Sequence, residues 1–158
     1  MGRVTLAEVK QRVVRFKDLQ PLEYAYEETQ LPAHQRVLLR YLGNQASEAA
    51  DVPPAVEGLT MNVSLATAEP GKGAPLHDHE CEETFFVVQG EFIIYFGNTP
   101  QEEVLLREWD AISIPPGIHR GWRATEKPGY LMAILGAGKT ELPRYREDYS
   151  KLPRVVRG

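Results

Sequence analysis

The stretch from Gly71 to Gly90, GKGAPLHDHECEETFFVVQG, constrains the fold of this 158-residue chain more than any other. It places His77 and His79 two residues apart, ahead of several acidic residues and an apolar run. Side chains at positions i and i+2 of an extended chain point to the same side, so both imidazoles can converge on one point. Glu83 keeps that parity. Two imidazoles and one carboxylate form a three-ligand set for a divalent first-row metal ion, with coordination positions left open.

Other interpretations of this stretch remain open from the residues alone. The two histidines can equally belong to a turn and face solvent, as many such pairs do. Glu82 is adjacent to Glu83 and could supply the carboxylate in its place. Cys81 shares the parity of the histidines, although a packed or exposed thiol is the more ordinary state of a single cysteine.

Outside this stretch, short apolar segments alternate with glycine- and proline-rich turns. Residues 4–19 are expected to include a short helix, because Thr5 and Glu8 have capping-box spacing, and residues 44–58 are expected to form a surface loop. Gln89-Gly90 predicts a hairpin between the strands on either side of it. Many short strands with little helix predict an all-β sandwich or barrel. The expected strands are His34–Leu42, Leu59–Leu65, Thr84–Val88, Glu91–Phe96, Glu102–Leu106, Ala111–Ile114, His119–Ala124 and Tyr130–Leu135.

The stretch at 71–90 resembles the first motif of the cupin family, GxxxxxHxHxxxExxxxxxG, with every gap matching. This gap favours Glu83 over Glu82 as the acidic ligand. The resemblance implies one cupin-type jelly-roll β-barrel over residues 56–138, with an irregular or partly helical N-terminal arm over 1–55 and a C-terminal tail over 139–158. It also implies a divalent metal ion inside the barrel, of Fe, Mn, Ni, Cu or Zn, and a homodimer that pairs through the arms.

The second cupin motif, GxxxxxPxGxxHxxxN, is only partly present in the segment WDAISIPPGIHRGWRA. Pro115 and Gly117 match, whereas Trp109, Arg120 and Ala124 stand at the glycine, histidine and asparagine positions. Arg120 therefore occupies the place of the family's third imidazole. An arginine there would remove a metal ligand, place a cation beside the metal, and offer a planar fork for a carboxylate or phosphate.

Residue parity at this point leaves two orientations. His119 and Arg120 are adjacent, so on a regular strand only one of them faces the barrel interior. An inward Arg120 brings Trp122 with it, which suits a half-apolar interior, so we expect Arg120 inward and His119 outward. A bulge after Gly117 would exchange the two. Trp109 and Trp122 are candidates for the walls of a ligand pocket, although core packing is the commoner use of tryptophan.

Composition excludes several classes of partner. The net charge of −4 provides no general attraction for nucleic acid or an anionic membrane, and no apolar run approaches the length of a membrane-spanning helix. The single cysteine, Cys81, excludes an internal disulfide and fits a reducing compartment. We therefore expect a cytoplasmic protein whose partners are a small-molecule ligand and a second copy of itself.

The leading functional hypothesis is a metal-dependent cupin enzyme, dioxygenase-like in one version, that acts on a small anionic molecule. His77, His79 and Glu83 would hold the metal, and Arg120 would orient the charge of the substrate as a catalytic residue. One alternative is a non-catalytic binding or sensor cupin with a degenerate metal site. Another is a cupin-type isomerase or epimerase, in which His77 and Tyr95 would form an acid/base pair.

Overall fold

The computed structural model describes residues 3–43 and 53–152 and consists mainly of short β-strands. A helix, α1 (Leu6–Lys10), and three 3₁₀ helices precede the first strand. Of the expected loop at 44–58, residues 44–52 lie outside the described part, as do the ends of the expected arm and tail. The strands are β1 (Val37–Leu42), β2 (Asn62–Thr67), β3 (Gly73–Asp78), β4 (Glu83–Gln89), β5 (Phe92–Phe96), β6 (Glu102–Leu106), β7 (Ala111–Ile114), β8 (Arg120–Ala124), β9 (Tyr130–Leu135) and β10 (Arg144–Tyr145).

These strands form two five-stranded antiparallel sheets. The first has the order β1-β2-β9-β4-β7 and the second the order β10-β3-β8-β5-β6. Consecutive strands from β2 to β5 change from one sheet to the other and back, which places side chains of both sheets around a common core. That core is built from apolar residues of both sheets, among them Phe85, Val87, Phe92, Ile94 and Leu131. The expected all-β jelly-roll barrel is confirmed.

The expected hairpin at Gln89-Gly90 is wrong. β4 pairs with β7 and β9, whereas β5 pairs with β6 and β8, so the two strands flanking the turn belong to different sheets. Gly90 has φ 79°, a left-handed conformation that favours glycine, and its missing Cβ leaves room for the carbonyl oxygens of Lys127 and Pro128. The turn therefore carries the chain across the barrel rather than back along its own sheet.

The strand expected over Leu59–Leu65 begins and ends later, at Asn62 and Thr67. Leu59 and Met61 are exposed, and the strand begins only at Asn62, whose side chain is buried together with that of Ser64. The Asn62 side-chain nitrogen donates to the Ala137 carbonyl, whereas its oxygen is buried without a partner among the described residues. Leu65 is buried as well, so both faces of this strand carry buried residues and alternation alone does not identify the inward face.

The N-terminal segment packs against the barrel. α1 has the expected capping box between Thr5 and Glu8, but its apolar residues are exposed. The 3₁₀ helices follow at Phe16–Asp18, Glu27–Gln30 and Pro32–His34, so His34 precedes β1 instead of opening it. Between them, Leu22, Ala25 and Tyr26 are buried in the core. Across the residues that the structure describes, none of the helices has the length and apolar character that a bilayer crossing requires.

Candidate metal centre

The three expected ligands come from two facing sheets. His77 lies near the end of β3 and His79 one residue beyond that strand, while Glu83 is the first residue of β4 in the other sheet. The Glu83 Oε2 atom lies 3.9 Å from His77 Nε2 and 3.7 Å from His79 Nε2. One potential ligand atom from each residue lies within 4.8 Å of the other two. Such a separation allows all three to contact one ion at ordinary metal–ligand distances of about 2 Å.

The burial of these groups fits a metal ion. His77, His79 and Glu83 expose 7%, 1% and 3% of their surface. Both ring nitrogens of His79 and the Oε2 atom of Glu83 have no hydrogen-bond partner among the described residues. Buried polar atoms are normally paired, because leaving one unpaired costs about 1–3 kcal/mol. An ion bound between the three side chains would pair with Glu83 Oε2 and with Nε2 of His79, the ring nitrogen that lies 3.7 Å from that oxygen.

A second contact orients His77. Its Nδ1 atom lies 2.7 Å from the carbonyl oxygen of Pro75, which can only accept a hydrogen bond. The proton is therefore on Nδ1, and the lone pair of Nε2 points toward Glu83. A backbone carbonyl that fixes the tautomer of a histidine in this way is a common support for a metal ligand.

The electrostatics of the site favour neutral imidazoles. Burial lowers the pKa of His79 to about 4, and the Arg120 charge acts in the same direction. Burial also holds the pKa of His77 well below its usual value, with His79 adding to the effect. Burial raises the pKa of Glu83 to about 7, although Arg120 opposes this shift. At neutral pH both imidazoles are thus unprotonated and have lone pairs available for a metal ion.

Arg120 lies inside the barrel beside this centre. It is the first residue of β8, pairs with His77 of β3, and is fully buried. Its Nη2 atom donates to the Pro115 carbonyl at 2.9 Å, and its Nε atom lies 3.6 Å from Glu83 Oε2. His119 points the other way, toward the side-chain oxygen of Asn98. A cation therefore stands where the cupin motif has an imidazole.

Several neighbouring residues take no part in the site. Glu82 is exposed and accepts a hydrogen bond from Ser113. Cys81 is half-buried and does not join the His–His–Glu cluster, the one group of potential ligands found in the described residues. Trp109 is 72% exposed and packs edge-on against Phe86, so its expected place in a pocket wall is wrong.

The acid/base pair expected for an isomerase is also missing. The hydroxyl of Tyr95 donates to the backbone carbonyl of Ala74 rather than approaching His77. Tyr95 instead lines a separate surface cavity on the outer side of the second sheet, with Arg123 over its ring. Nothing in this arrangement couples Tyr95 to the imidazole.

A small cavity opens beside the candidate centre. Its volume is about 40 Å³, and His77, Glu83 and Trp122 form one part of its lining. That volume holds a few water-sized groups, well below the roughly 150 Å³ that accommodates benzene. The sequence did not single out the other polar side chains of the lining, which are Tyr26, Arg36, Ser64 and Tyr145. Only Arg36, a charge immediately before an apolar strand, carried a signal that could have identified it.

Comparisons with known proteins identify the fold. Residues 64–135 match the family model of the cupin domain. The chain is similar to one from the crystal structures of the DMSP lyases RdDddP and RnDddQII, with 18% identity and a TM-score of 0.56 over 71% of this chain and 53% of that one. It is similar to Bacillus subtilis oxalate decarboxylase, in a structure used to study that protein's Mn(II) centres, with 14% identity and a TM-score of 0.61 over 89% of this chain and 34% of that one.

A third similar structure is KdgF from Halomonas sp., with 20% identity and a TM-score of 0.50 over 76% of this chain and 87% of that one. No curated protein matches the chain significantly by sequence. Identities this low establish a shared fold and nothing about the reaction. The chain also spans only about half the length of the DMSP lyase chain and about a third of oxalate decarboxylase.

Proposed function

We propose that this chain, whose residues 64–135 match the family model of the cupin domain, binds one divalent metal ion with His77, His79 and Glu83 and acts there on a small carboxylate. The observation that carries this proposal is the convergence of three buried potential ligands from two sheets. The unpaired Oε2 atom of Glu83 lies within 4 Å of the Nε2 atoms of both histidines, although each side chain is almost completely withdrawn from solvent. Without an ion, such buried unpaired atoms cost stability.

The charge balance supports an anionic ligand. A divalent ion and the Arg120 guanidinium together exceed the single negative charge of Glu83, so the centre attracts an anion. The small volume of the cavity, about 40 Å³, favours a short anion. A short carboxylate meets both conditions.

The ion would supply the reactive centre, and the surrounding side chains would hold the ion and position the ligand. Iron(II) with two imidazoles and a carboxylate supports oxygen-dependent reactions, while Mn, Ni, Cu or Zn in the same ligands would polarise a bound oxygen as Lewis acids. His77 and His79 remain unprotonated as donors, and Arg120 fixes positive charge next to Glu83. The apolar lining, including Phe85 and Trp122, excludes bulk water from the cavity.

A second candidate function is the binding of a small anion without a metal. The observation that favours it is the contact between Arg120 Nε and Glu83 Oε2 at 3.6 Å, which partly neutralises the carboxylate and places a cation where the family's fourth ligand would be. In that case Arg120 itself would bind the anion. The same experiment distinguishes the two functions.

The test is metal analysis of the purified protein and of two neighbouring variants. Glu83→Gln removes the buried carboxylate, while Glu82→Gln changes the adjacent exposed acid and serves as the matched control. After anaerobic reconstitution with Fe(II) or Mn(II), we expect close to one ion per chain in the wild type and in E82Q, and almost none in E83Q. Equal metal content in all three proteins, or none in the wild type, would overturn the proposal in favour of metal-free anion binding.

A test of the reaction class follows from the metal result. The iron-loaded protein is supplied with short carboxylates and its oxygen consumption is recorded against E83Q. Consumption above the E83Q background would assign the oxygen-dependent class. Turnover of a carboxylate by the Mn or Zn form without oxygen would assign the Lewis-acid class.

A further inference from the structure

The cavity beside the candidate centre has a second polar end, built from parts of the chain that lie outside the matched family segment. Tyr26 comes from the N-terminal segment and Tyr145 from β10 near the C-terminus, and both line the cavity together with Arg36. The first end of the cavity is formed by His77 and Glu83. A few polar groups set in a mostly apolar lining are the ordinary composition of a small-ligand site.

The hydroxyl groups at this second end are buried and unpaired. Tyr26 is 2% exposed, and its hydroxyl has no hydrogen-bond partner within the described part of the chain. The Tyr145 hydroxyl is likewise buried without a partner there. Burial raises the pKa of the Tyr145 phenol, and the nearby Glu28, whose Oε2 atom is also buried without a partner, acts in the same direction. Both hydroxyls are therefore available to a ligand.

An ion pair between Arg36 and Glu28 lies next to these hydroxyl groups. Arg36 Nη2 lies 2.6 Å from Glu28 Oε1, and Arg36 Nη1 donates to the His34 carbonyl at 2.8 Å. The Arg36 guanidinium carbon lies 5.2 Å from the centre of the Tyr26 ring, which fixes that ring by a cation–π contact. Because Glu28 neutralises Arg36, hydrogen-bond donors rather than net charge characterise this end of the cavity.

The two ends are close enough for one small molecule to reach both. Tyr145 is paired with His77 where β10 meets β3, and their ring centres are 6.0 Å apart. Tyr26 and Glu83 both line this cavity, and burial raises the pKa of the Tyr26 phenol. Burial likewise raises the pKa of Tyr145. Each phenol keeps its proton and can donate it to an oxygen atom.

We propose that Tyr26 and Tyr145 form an anchor for the far end of the ligand, donating hydrogen bonds to a second oxygen-bearing group while the ligand's carboxylate lies at the metal end. The site would then select short acids that carry a second oxygen acceptor over acids of similar size that lack one. Rejection of the simpler acid follows because it would leave the two buried hydroxyls unpaired. This inference rests on the proposed function, since it places the carboxylate at the His–His–Glu centre.

The test compares malonate with propionate, two three-carbon acids of which only malonate carries a second carboxylate. Their binding to the Mn(II)-loaded protein is measured by titration calorimetry in the wild type, Tyr26→Phe and Tyr145→Phe. Tyr130→Phe is the matched control, because the Tyr130 ring packs on Phe16 away from the cavity. Metal content is measured in every sample, so that a loss of the ion is seen separately from a loss of ligand affinity.

We expect malonate affinity to fall roughly tenfold in Y26F and in Y145F, the loss of one hydrogen bond to a charged group, and to stay unchanged in Y130F. Propionate should bind all four proteins equally weakly. Equal malonate affinity in the wild type and both cavity variants with full metal content would overturn the inference and leave the proposed function standing. Failure of the metal-loaded wild type to bind malonate would also overturn it. A wild type without metal would overturn both.

Discussion

Glu83 faces His77 across the barrel from the opposite sheet, with 3.9 Å between Oε2 and Nε2. The strands that carry them, β4 and β3, share no backbone hydrogen bonds and are joined only by the turn through residues 79–82. The proposed ion would therefore hold together two layers of the barrel that otherwise meet through side-chain packing.

Metal addition should for this reason stabilise the whole fold. A ligand that binds only the folded state at 100 times its dissociation constant stabilises it by about 2.7 kcal/mol. We expect the melting temperature of the wild type to rise with added Mn(II) and that of Glu83→Gln to stay constant. Thermal unfolding at a series of metal concentrations measures this. A rise of equal size in E83Q would place the bound metal elsewhere.

Removing the charge of Arg120 should tighten metal binding. The guanidinium lies beside Glu83, so it repels a divalent ion in a largely dehydrated site, and its loss should raise the affinity by roughly tenfold. We expect this in Arg120→Gln and a larger gain in Arg120→His, which restores an imidazole. Arg123→Gln, on the same strand but facing Glu103 at the surface, is the control. Competition against a chelator gives the affinities, and weaker binding in R120Q would contradict the repulsion.

The unpaired hydroxyl of Tyr26 should lower the stability of the ligand-free protein. Tyr26→Phe removes a buried polar group without leaving a cavity, so the free energy of unfolding should rise by about 1 kcal/mol. Urea unfolding of the metal-free protein measures the change. A gain in stability together with the loss of malonate affinity is typical of a residue kept for binding. A less stable Y26F would mean that the hydroxyl is already paired.

His34 should make the fold sensitive to mild acid. Burial lowers its pKa below the ordinary value of 6.5, and Arg36 acts in the same direction, against the Gly73 carbonyl, Glu28 and Glu147. The folded chain then binds the proton less tightly than the unfolded chain, so stability is lost as the pH falls below about 6.5. His34→Gln should lose less stability than the wild type between pH 7.5 and 5.5, as measured by urea unfolding. Equal losses would show that His34 does not titrate in this range.

At position 109, glycine should give a more stable protein than alanine. Trp109 adopts φ 71°, a left-handed conformation that favours glycine, and glycine is the residue that the second cupin motif has at this position. Glycine reaches this conformation without the roughly 1 kcal/mol penalty of other residues. Trp109→Ala and Trp109→Gly both lose the contact with Phe86, so the comparison isolates the backbone. We expect W109G to be about 1 kcal/mol more stable than W109A in urea unfolding, and equal stabilities would contradict a strained turn.

The sequence analysis grouped His77, His79 and Glu83 by their parity along one strand, and this argument holds for the two histidines but not for Glu83. Alternation along a strand does align His77 with its neighbour two residues on, but Glu83 reaches them from another sheet, after the chain has turned. The spacing of the first motif, rather than strand parity, selected the acid that the structure brings beside the two imidazoles. The motif spacing includes the turn between the two strands, whereas the parity argument assumes one continuous strand.

The second end of the cavity could not be predicted in the same way. Tyr26 and Tyr145 are 119 positions apart in sequence and meet only because the N-terminal segment packs on β1 and β10 pairs with β3. A single tyrosine in an irregular segment carries no spacing that indicates a site. The hairpin expected at Gln89-Gly90 failed for a related reason, since a glycine turn specifies local geometry and not the sheet that the next strand joins.

The brevity of β10 has a kinetic consequence. This strand pairs with β3 through only two residues, yet Tyr145 on it separates the inner cavity from an outer hollow of about 400 Å³ lined by Tyr145–Ser150. The Arg146 amide donates a hydrogen bond to the Leu76 carbonyl, and Arg144 contacts Asp78. Both contacts attach the strand to the barrel. Detaching so short a strand requires far less free energy than unfolding the barrel. The residence time of a ligand in the cavity would thus be set by how often the C-terminal segment lifts away.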